Sequence, residues 1–245
     1  METTIKSIGI TGALGHIGTI LQNGLSSEYS LSLFDLKKSK TIPNVKSIVM
    51  DFGERTQLKG VFDGLDAIIH LAGDPRPNAP RQSTLRNNFT ATSYVFDEAR
   101  NAGVRKIVFA SSNFYHEGDI ADRLGRSQES LITLDMNPTP HCLYGESKVF
   151  GENVGRHLSH FGIQFVALRI GWTVPQDNPV LYDSPYMRAV FCSKRDLLQA
   201  FSKALEVNAD YLTAFAVSNN SSNLFDLTET RKQLGFNPQD NSAGY

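Results

Sequence analysis

The sequence predicts an α/β fold, a doubly wound parallel sheet carrying a small C-terminal lobe. Three observations predict it. Short β-branched or apolar runs alternate with helix-length sequence from Ile5 to Ile170, the pattern of parallel strands joined by crossover helices. The first run passes straight into a glycine-rich turn and then a helical repeat. From Gly171 the texture changes, and Trp172 to Met187 is rich in proline, aspartate and tyrosine.

Ile5 to Ile10 reads as the first strand, followed by Thr11-Gly12-Ala13-Leu14-Gly15-His16-Ile17-Gly18. Thr19, Ile20, Leu21 and Leu25 then recur at helical spacing. In a strand–turn–helix setting, glycines so spaced permit a tight turn, backbone approach to a pyrophosphate, and helix–strand packing. The helix N-terminus offers its free N–H groups to the phosphates. Leu31 to Phe34 is the second strand, and Asp35 stands at its end, where a ribose-binding carboxylate belongs. A carboxylate there repels a 2′-phosphate and favours NAD over NADP, although Lys37 and Lys38 lie close by.

Val45 to Met50 is a third strand; Asp51, followed by Phe52, either meets the adenine or is an ordinary turn residue. Glu54 to Phe62 is expected to be a crossover helix. Asp66 to Gly73 is a fourth strand, apolar enough for burial on both faces, with small Ala72 and Gly73 at its end. Asp74 to Pro80, rich in proline, is a candidate rim for a substrate mouth. Arg81 to Ala102 is a long helix stopped by Gly103, with Leu85, Phe89, Tyr94, Val95 and Ala99 on its inner side. Asn87 and Asn88 sit mid-helix, where asparagine is unfavourable, and either could serve a function or face solvent.

Lys106 to Ala110 is a fifth strand running into Ser111, Ser112 and Asn113. Hydroxyls and an amide at the carboxyl end of a parallel strand lie where ligands bind. His116 to Leu134 is expected to be polar and irregular. Leu143 to Phe161 is a helix with Val149, Phe150, Val154, Leu158 and Phe161 on its apolar side. Tyr144 and Lys148 are four apart on it, one turn apart on the same face. A phenol has a reference pKa of about 10, and an ammonium one turn away lowers it, so the pair reads as a general base. Gln164 to Ile170 is a sixth strand, Ser193 to Val207 a helix, Leu212 to Val217 a late strand, and Thr228 to Leu234 a closing helix.

The net charge of -1 gives no reason to invoke nucleic acid or an anionic membrane. The two cysteines, Cys142 and Cys192, form neither a metal-like spacing nor a disulfide framework, so no metal is expected. Met1 to Ser7 lacks the pattern of a signal peptide, and no segment approaches about 20 apolar residues. A cytoplasmic protein is expected.

Gly12, Gly15, Gly18, Asp35, Ser112, and Tyr144 with Lys148 together resemble the extended short-chain dehydrogenase/reductases, the NAD-dependent epimerase/dehydratase family. The closing Phe225-Asp226-Leu227 and Leu234-Gly235-Phe236 with Pro238 are similar to that family's C-terminal pattern. Phe109 to Asn113, Leu143 to Asn153 and Leu168 to Gly171 resemble the uronate dehydrogenases, and Phe191 to Leu197 more loosely. The resemblance implies a Rossmann domain over residues 1–171, with NAD as cofactor, and a substrate-binding lobe over residues 172–245, continuous with it. It implies Tyr144 as general base, Ser112 on the reacting oxygen, Lys148 on the tyrosine and the nicotinamide ribose, and Asn113 on the substrate. The expected cofactor-binding set is Gly12, Gly15, His16, Ile17, Gly18, Asp35, Asp51, Phe52, Leu71, Ala72, Gly73, Asn88 and Lys148.

Two departures bear on the substrate. Uronate dehydrogenases usually have histidine where this chain has Phe114, and they grip the carboxylate with an arginine, for which Arg188 is the candidate and Arg195 the reserve. The implied reaction is NAD-dependent oxidation of a sugar hydroxyl, at C1 of a hexuronate, to a lactone. A nucleotide-sugar epimerase or dehydratase is the first alternative, and the short sequence after Gly171 argues against it. A dinucleotide sensor without turnover is the second; it would be expected to lack the tyrosine or lysine. The family also suggests a homodimer through the helices of Arg81–Ala102 and Pro140–Phe161.

Overall fold

β1 (Ser7–Thr11) pairs with β2 (Ser30–Asp35) on one side and β4 (Ala67–His70) on the other. With β3 (Lys46–Val49), β5 (Lys106–Ser112), β6 (Gln164–Ile170) and β7 (Tyr211–Ala216) they form a seven-stranded parallel sheet in the order β3-β2-β1-β4-β5-β6-β7. The computed structural model describes residues 4–38, 45–126 and 130–245. Residues 1–3 of the supposed leader-free start and 127–129 of the supposed irregular stretch lie outside them. The chain runs outward from β1 to β3, returns, and runs outward the other way from β4. That reversal opens a crevice beyond the carboxyl ends of β1 and β4.

Helices cover both faces, which is why the strands read as unbroken apolar runs. α1 (His16–Leu25) and, later in the chain, the helix at Lys194–Glu206 bury Leu21, Leu25, Leu197 and Phe201 against one face. On the other, α2 (Arg81–Thr84) passes through a π-helical turn (Leu85–Thr90) into α3 (Ala91–Asn101). α4 (Glu117–Arg126) precedes α5 (Leu143–Ser159), and Phe96, Ala99 and Leu158 pack on this second face. α6 (Pro185–Val190), α7 (Lys194–Glu206) and α8 (Thr228–Leu234) complete the chain. β7 joins the same sheet, so the part after residue 171 is not a detached body. No helix among the described residues is long and apolar enough to cross a membrane.

Four expectations are corrected. Glu54–Phe62 is not a helix; only Arg55–Gln57 makes a 3₁₀ turn, and Gly60 follows at φ +73°. Turns drop Leu58 and Phe62 into an aromatic cluster with Phe34 and Phe52. The stretch after His116 is not irregular throughout: Glu117–Arg126 forms α4, whose buried positions are Gly118, Ile120 and Arg123. Only Ile120 of those three is an apolar side chain, so no apolar period marks the helix. On α5 the inner face keeps Leu158 and Val154 of the expected set but not Val149, Phe150 or Phe161, the last of which is half exposed. Gly151 and Gly155 face the sheet beside them, where a Cβ would stand 2.4 Å from the Phe109 ring and 2.2 Å from that of Phe165. Finally, the π-helical turn rotates the long helix, so Leu85 faces out and Asn88 is buried.

At the end of β4, His70 is a polar group in the apolar core between Phe96 and Phe109. Thr11 Oγ1 accepts from the Leu71 and Ala72 N–H groups, each at 3.2 Å, so its own hydrogen points to His70 Nδ1 at 2.8 Å. The ring proton is then on Nε2, donating to Thr92 Oγ1 at 3.1 Å. Burial, aided by the Lys148 charge, pushes the His70 pKa down to about 3. Burial and Arg169 push that of His116 down to about 4, against Asp119. Both folded values lie below the ordinary 6.5. The unfolded chain therefore binds protons that the folded chain refuses. Their stabilising contribution is present above pH ~6.5 and is lost as pH falls toward those values. The melting temperature is expected to drop between about pH 7 and pH 4.5; a level profile would remove this account of the two imidazoles.

Candidate active site

At the crevice the first helix begins. Gly12 adopts φ +67°, and a Cβ there would stand 2.8 Å from the Ala72 nitrogen. Only glycine lets the turn lie this close to the end of β4. A Cβ on Gly18 would come within 2.4 Å of the Ala13 carbonyl oxygen, so α1 packs tightly against the turn. Asp35 closes β2, and its Oδ2 accepts from the Leu14 N–H at 2.9 Å. Asp51 is held by Arg86 at 3.1 and 3.0 Å and accepts from the Gly53 N–H at 2.9 Å. Hydrogen bonding from Arg86 holds its carboxyl below the ordinary range.

β5 ends on Ser112, whose Oγ accepts from the Phe114 N–H at 3.2 Å. The Asn113 amide donates to the Tyr186 hydroxyl at 2.5 Å, tying β5 to α6. α5 starts beside them. Tyr144 packs edge-on to Phe114 with ring centroids 5.5 Å apart. Lys148 Nζ donates to the Ala110 carbonyl at 2.8 Å and lies 5.2 Å from the Tyr144 ring centroid. Burial pushes the Tyr144 phenol up, with hydrogen bonding by Ser112 pulling the other way. Burial alone brings Lys148 down to about 8. The lysine does stand on the tyrosine's face, but desolvation, not its charge, sets the direction for the phenol. At neutral pH Lys148 is still mainly an ammonium, and Tyr144 is protonated.

One continuous cleft of about 960 Å³ joins the glycine turn to this end. Gly12, Gly15, His16, Ile17, Gly18, Asp35, Asp51, Phe52, Leu71, Ala72 and Gly73 line it, as do Ser112, Asn113, Tyr144 and Lys148. Two expected residues do not. Asn88 sits behind Gly73, accepting from the Asp74 N–H at 2.7 Å and donating to the Asp74 carbonyl at 3.0 Å and Ser147 Oγ at 3.4 Å. Its neighbour Asn87 lines the cleft in its place. Arg188 lies 3.8 Å from exposed Asp183 and outside the cleft wall, and the reserve, Arg195, is bound to Asp240 at 2.5 Å. Sequence reasoning missed Arg76 and Trp172 as lining residues. The loop of Arg76 was marked as a rim, but nothing local distinguished that arginine from the others.

A family model described as the NAD dependent epimerase/dehydratase family matches residues 8–174. The chain belongs to that family. It is 34% identical over 249 residues to the NAD-dependent glucose-6-phosphate dehydrogenase of Haloferax volcanii, with 96% of this chain and 94% of that one covered. It is 28% identical to a uronate dehydrogenase of Pseudomonas putida over 99% of this chain and 87% of the relative. Among solved structures, a mutant uronate dehydrogenase of Agrobacterium tumefaciens complexed with NAD superposes with a TM-score of 0.83 at 25% identity, covering 98% of this chain and 86% of that one.

The family's cofactor, NAD, fits what the residues offer. The Gly12 turn is a cradle that a Cβ would fill. His16 Nε2, on the first turn of α1, is buried without a hydrogen-bond partner among the described residues. The second Asp35 carboxylate oxygen remains for a ribose, and the cleft has the volume of a small-molecule site.

Proposed function

We propose that this chain is an NAD-dependent sugar dehydrogenase acting on the anomeric hydroxyl of a monosaccharide-sized aldose or aldose derivative, hexuronates included. The observation that carries it is the meeting of Ser112, Tyr144 and Lys148 at one end of a cleft whose other end is the glycine turn. In this reading Gly12, Gly15 and Gly18 take the pyrophosphate, Asp35 the adenosine ribose, Asp51 and Phe52 the adenine, and Lys148 the nicotinamide ribose. When bound, NAD supplies the hydride acceptor. Ser112 Oγ holds the reacting oxygen. The deprotonated fraction of Tyr144 takes the hydroxyl proton and becomes neutral, and the Lys148 ammonium balances the charge that the phenolate carries before the transfer. Oxidation at C1 of a cyclic sugar leaves a lactone.

The lining residues that follow β6 support a small substrate. Trp172 and Thr173 line the cleft, and Tyr186 braces Asn113 behind it. The relatives named as glucose-6-phosphate, arabinose and uronate dehydrogenases support the same class. A cytoplasmic homodimer accords with the family and with partly exposed Leu85 and Phe161 on the α2/α3 and α5 side.

Net NADH formation from free aldoses, aldose phosphates and hexuronates tests the proposal. Steady accumulation with at least one is expected. An epimerase would recycle its hydride and a sensor would form none, so absence of NADH across all three classes would overturn it.

A further inference from the structure

The cations that line the cleft are unequally committed. Lys37 stands beside Asp35 at the glycine-turn end, and Lys148 is bound to the Ala110 carbonyl under Tyr144. His16 is held toward its neutral form by burial. Among the described lining residues that leaves Arg76, in the loop after β4.

Arg76 is aimed. Its backbone N–H, Nε and Nη2 all donate to the Asp74 carboxylate, at 3.2, 2.9 and 2.7 Å. Ser83 Oγ donates to the same carboxylate at 2.6 Å. The Asp74 side chain is 7% exposed, whereas that of Arg76 is 62% exposed. A buried carboxylate with four donors thus fixes one edge of a guanidinium whose other edge is open. None of the hydrogen bonds found among the described residues uses Nη1, so its two N–H groups and the second on Nη2 remain. Asn88 bonds both the Asp74 backbone and Ser147 Oγ, and Ser147 Oγ donates to the Tyr144 carbonyl at 2.6 Å. The loop and the Tyr144 turn are therefore held to one another.

We propose that Arg76, oriented by Asp74, is the specificity residue of the substrate end and binds a phosphoryl group carried by the sugar away from its reacting carbon. This rests on the sugar dehydrogenase reading. A planar guanidinium suits oxyanions, and three outward N–H groups suit a group with three acceptor oxygens. The lining residues Phe114, Trp172 and Thr173 carry no charge, and Arg188 and Arg195 are turned to Asp183 and Asp240. An anionic substituent therefore finds its donor on the Arg76 side.

The test compares wild type, R76A and R76K with glucose, glucose 6-phosphate and glucuronate. In R76A the ratio of kcat/KM for glucose 6-phosphate to that for glucose is expected to fall about 10- to 100-fold, the span of a charged hydrogen bond. The loss should lie in KM rather than kcat, and R76K should recover part of it. An unchanged ratio would overturn the proposal. So would an equal loss on all three substrates, which marks a structural role, or a loss confined to glucuronate, which marks a carboxylate site. Calorimetric binding of glucose 6-phosphate to the NAD complex of wild type and R76A reads the same contact without turnover. If no sugar yields NADH, the function fails while this binding difference still decides for or against Arg76.

Discussion

Tyr144→Phe is expected to lower the rate of sugar oxidation by at least about 10³-fold while leaving NAD affinity close to that of the wild type. The substitution removes one oxygen and keeps the ring, so the edge-on packing against Phe114 survives. What it removes is the hydroxyl proposed as proton acceptor, beside Ser112 and Lys148. Burial holds the Tyr144 pKa above its ordinary 10, so the deprotonated fraction grows tenfold per pH unit across the neutral range. Wild-type kcat/KM for oxidation should therefore climb with pH until Tyr144 or Lys148 has titrated, and the Phe variant should lose that slope. Lys148, at about 8, loses its charge within the same rise and sets where the climb flattens. A Phe variant that turns over at the wild-type rate would take Tyr144 out of the chemistry.

Arg169→Met should cost about 3–5 kcal/mol of stability and lower the melting temperature by roughly 10 °C. Arg169 on β6 and Glu152 on α5 form an ion pair at 2.9 Å with both side chains 3% exposed. Arg169 also donates to His116 Nε2 at 2.9 Å and the Leu134 carbonyl at 3.1 Å, and lies over the Tyr115 ring at 3.6 Å. Ser111 Oγ donates to Glu152 at 2.6 Å. Removing the guanidinium strands a buried carboxylate next to the strand end that carries Ser112. The double variant Glu152→Met/Arg169→Met removes both charges and should be less damaged than the single one. The placement also predicts a loss of activity in the single variant beyond its loss of folded protein. A melting temperature within about 2 °C of wild type would show that the pair does not hold the site together.

Much of the architecture was legible because it is written in local periods. Strand runs, helix lengths and the glycine turn depend on neighbours within a few residues. So does the i, i+4 placement of Tyr144 and Lys148, which the structure keeps on one face. α4 and the inner face of α5 were not legible for a physical reason: the first buries Gly118 and a hydrogen-bonded Arg123 beside a lone Ile120, and the second presents glycines to the aromatic rings of β5 and β6. A pattern rule that looks for apolar side chains passes over both.

By itself the sequence determined the parallel α/β class, the glycine turn with Asp35 at the end of the next strand, and the placement of Tyr144 and Lys148 one turn apart. Only the tertiary structure decided which asparagine and which arginine face the cleft. Asn88 is claimed by a loop 14 residues away and Asn87 is not; Arg188 and Arg195 turn to nearby carboxylates while Arg76 stays at the mouth. Those choices turn on the rotation of a helix through a π-helical turn and on pairs that meet only after folding. No spacing along the chain encodes either.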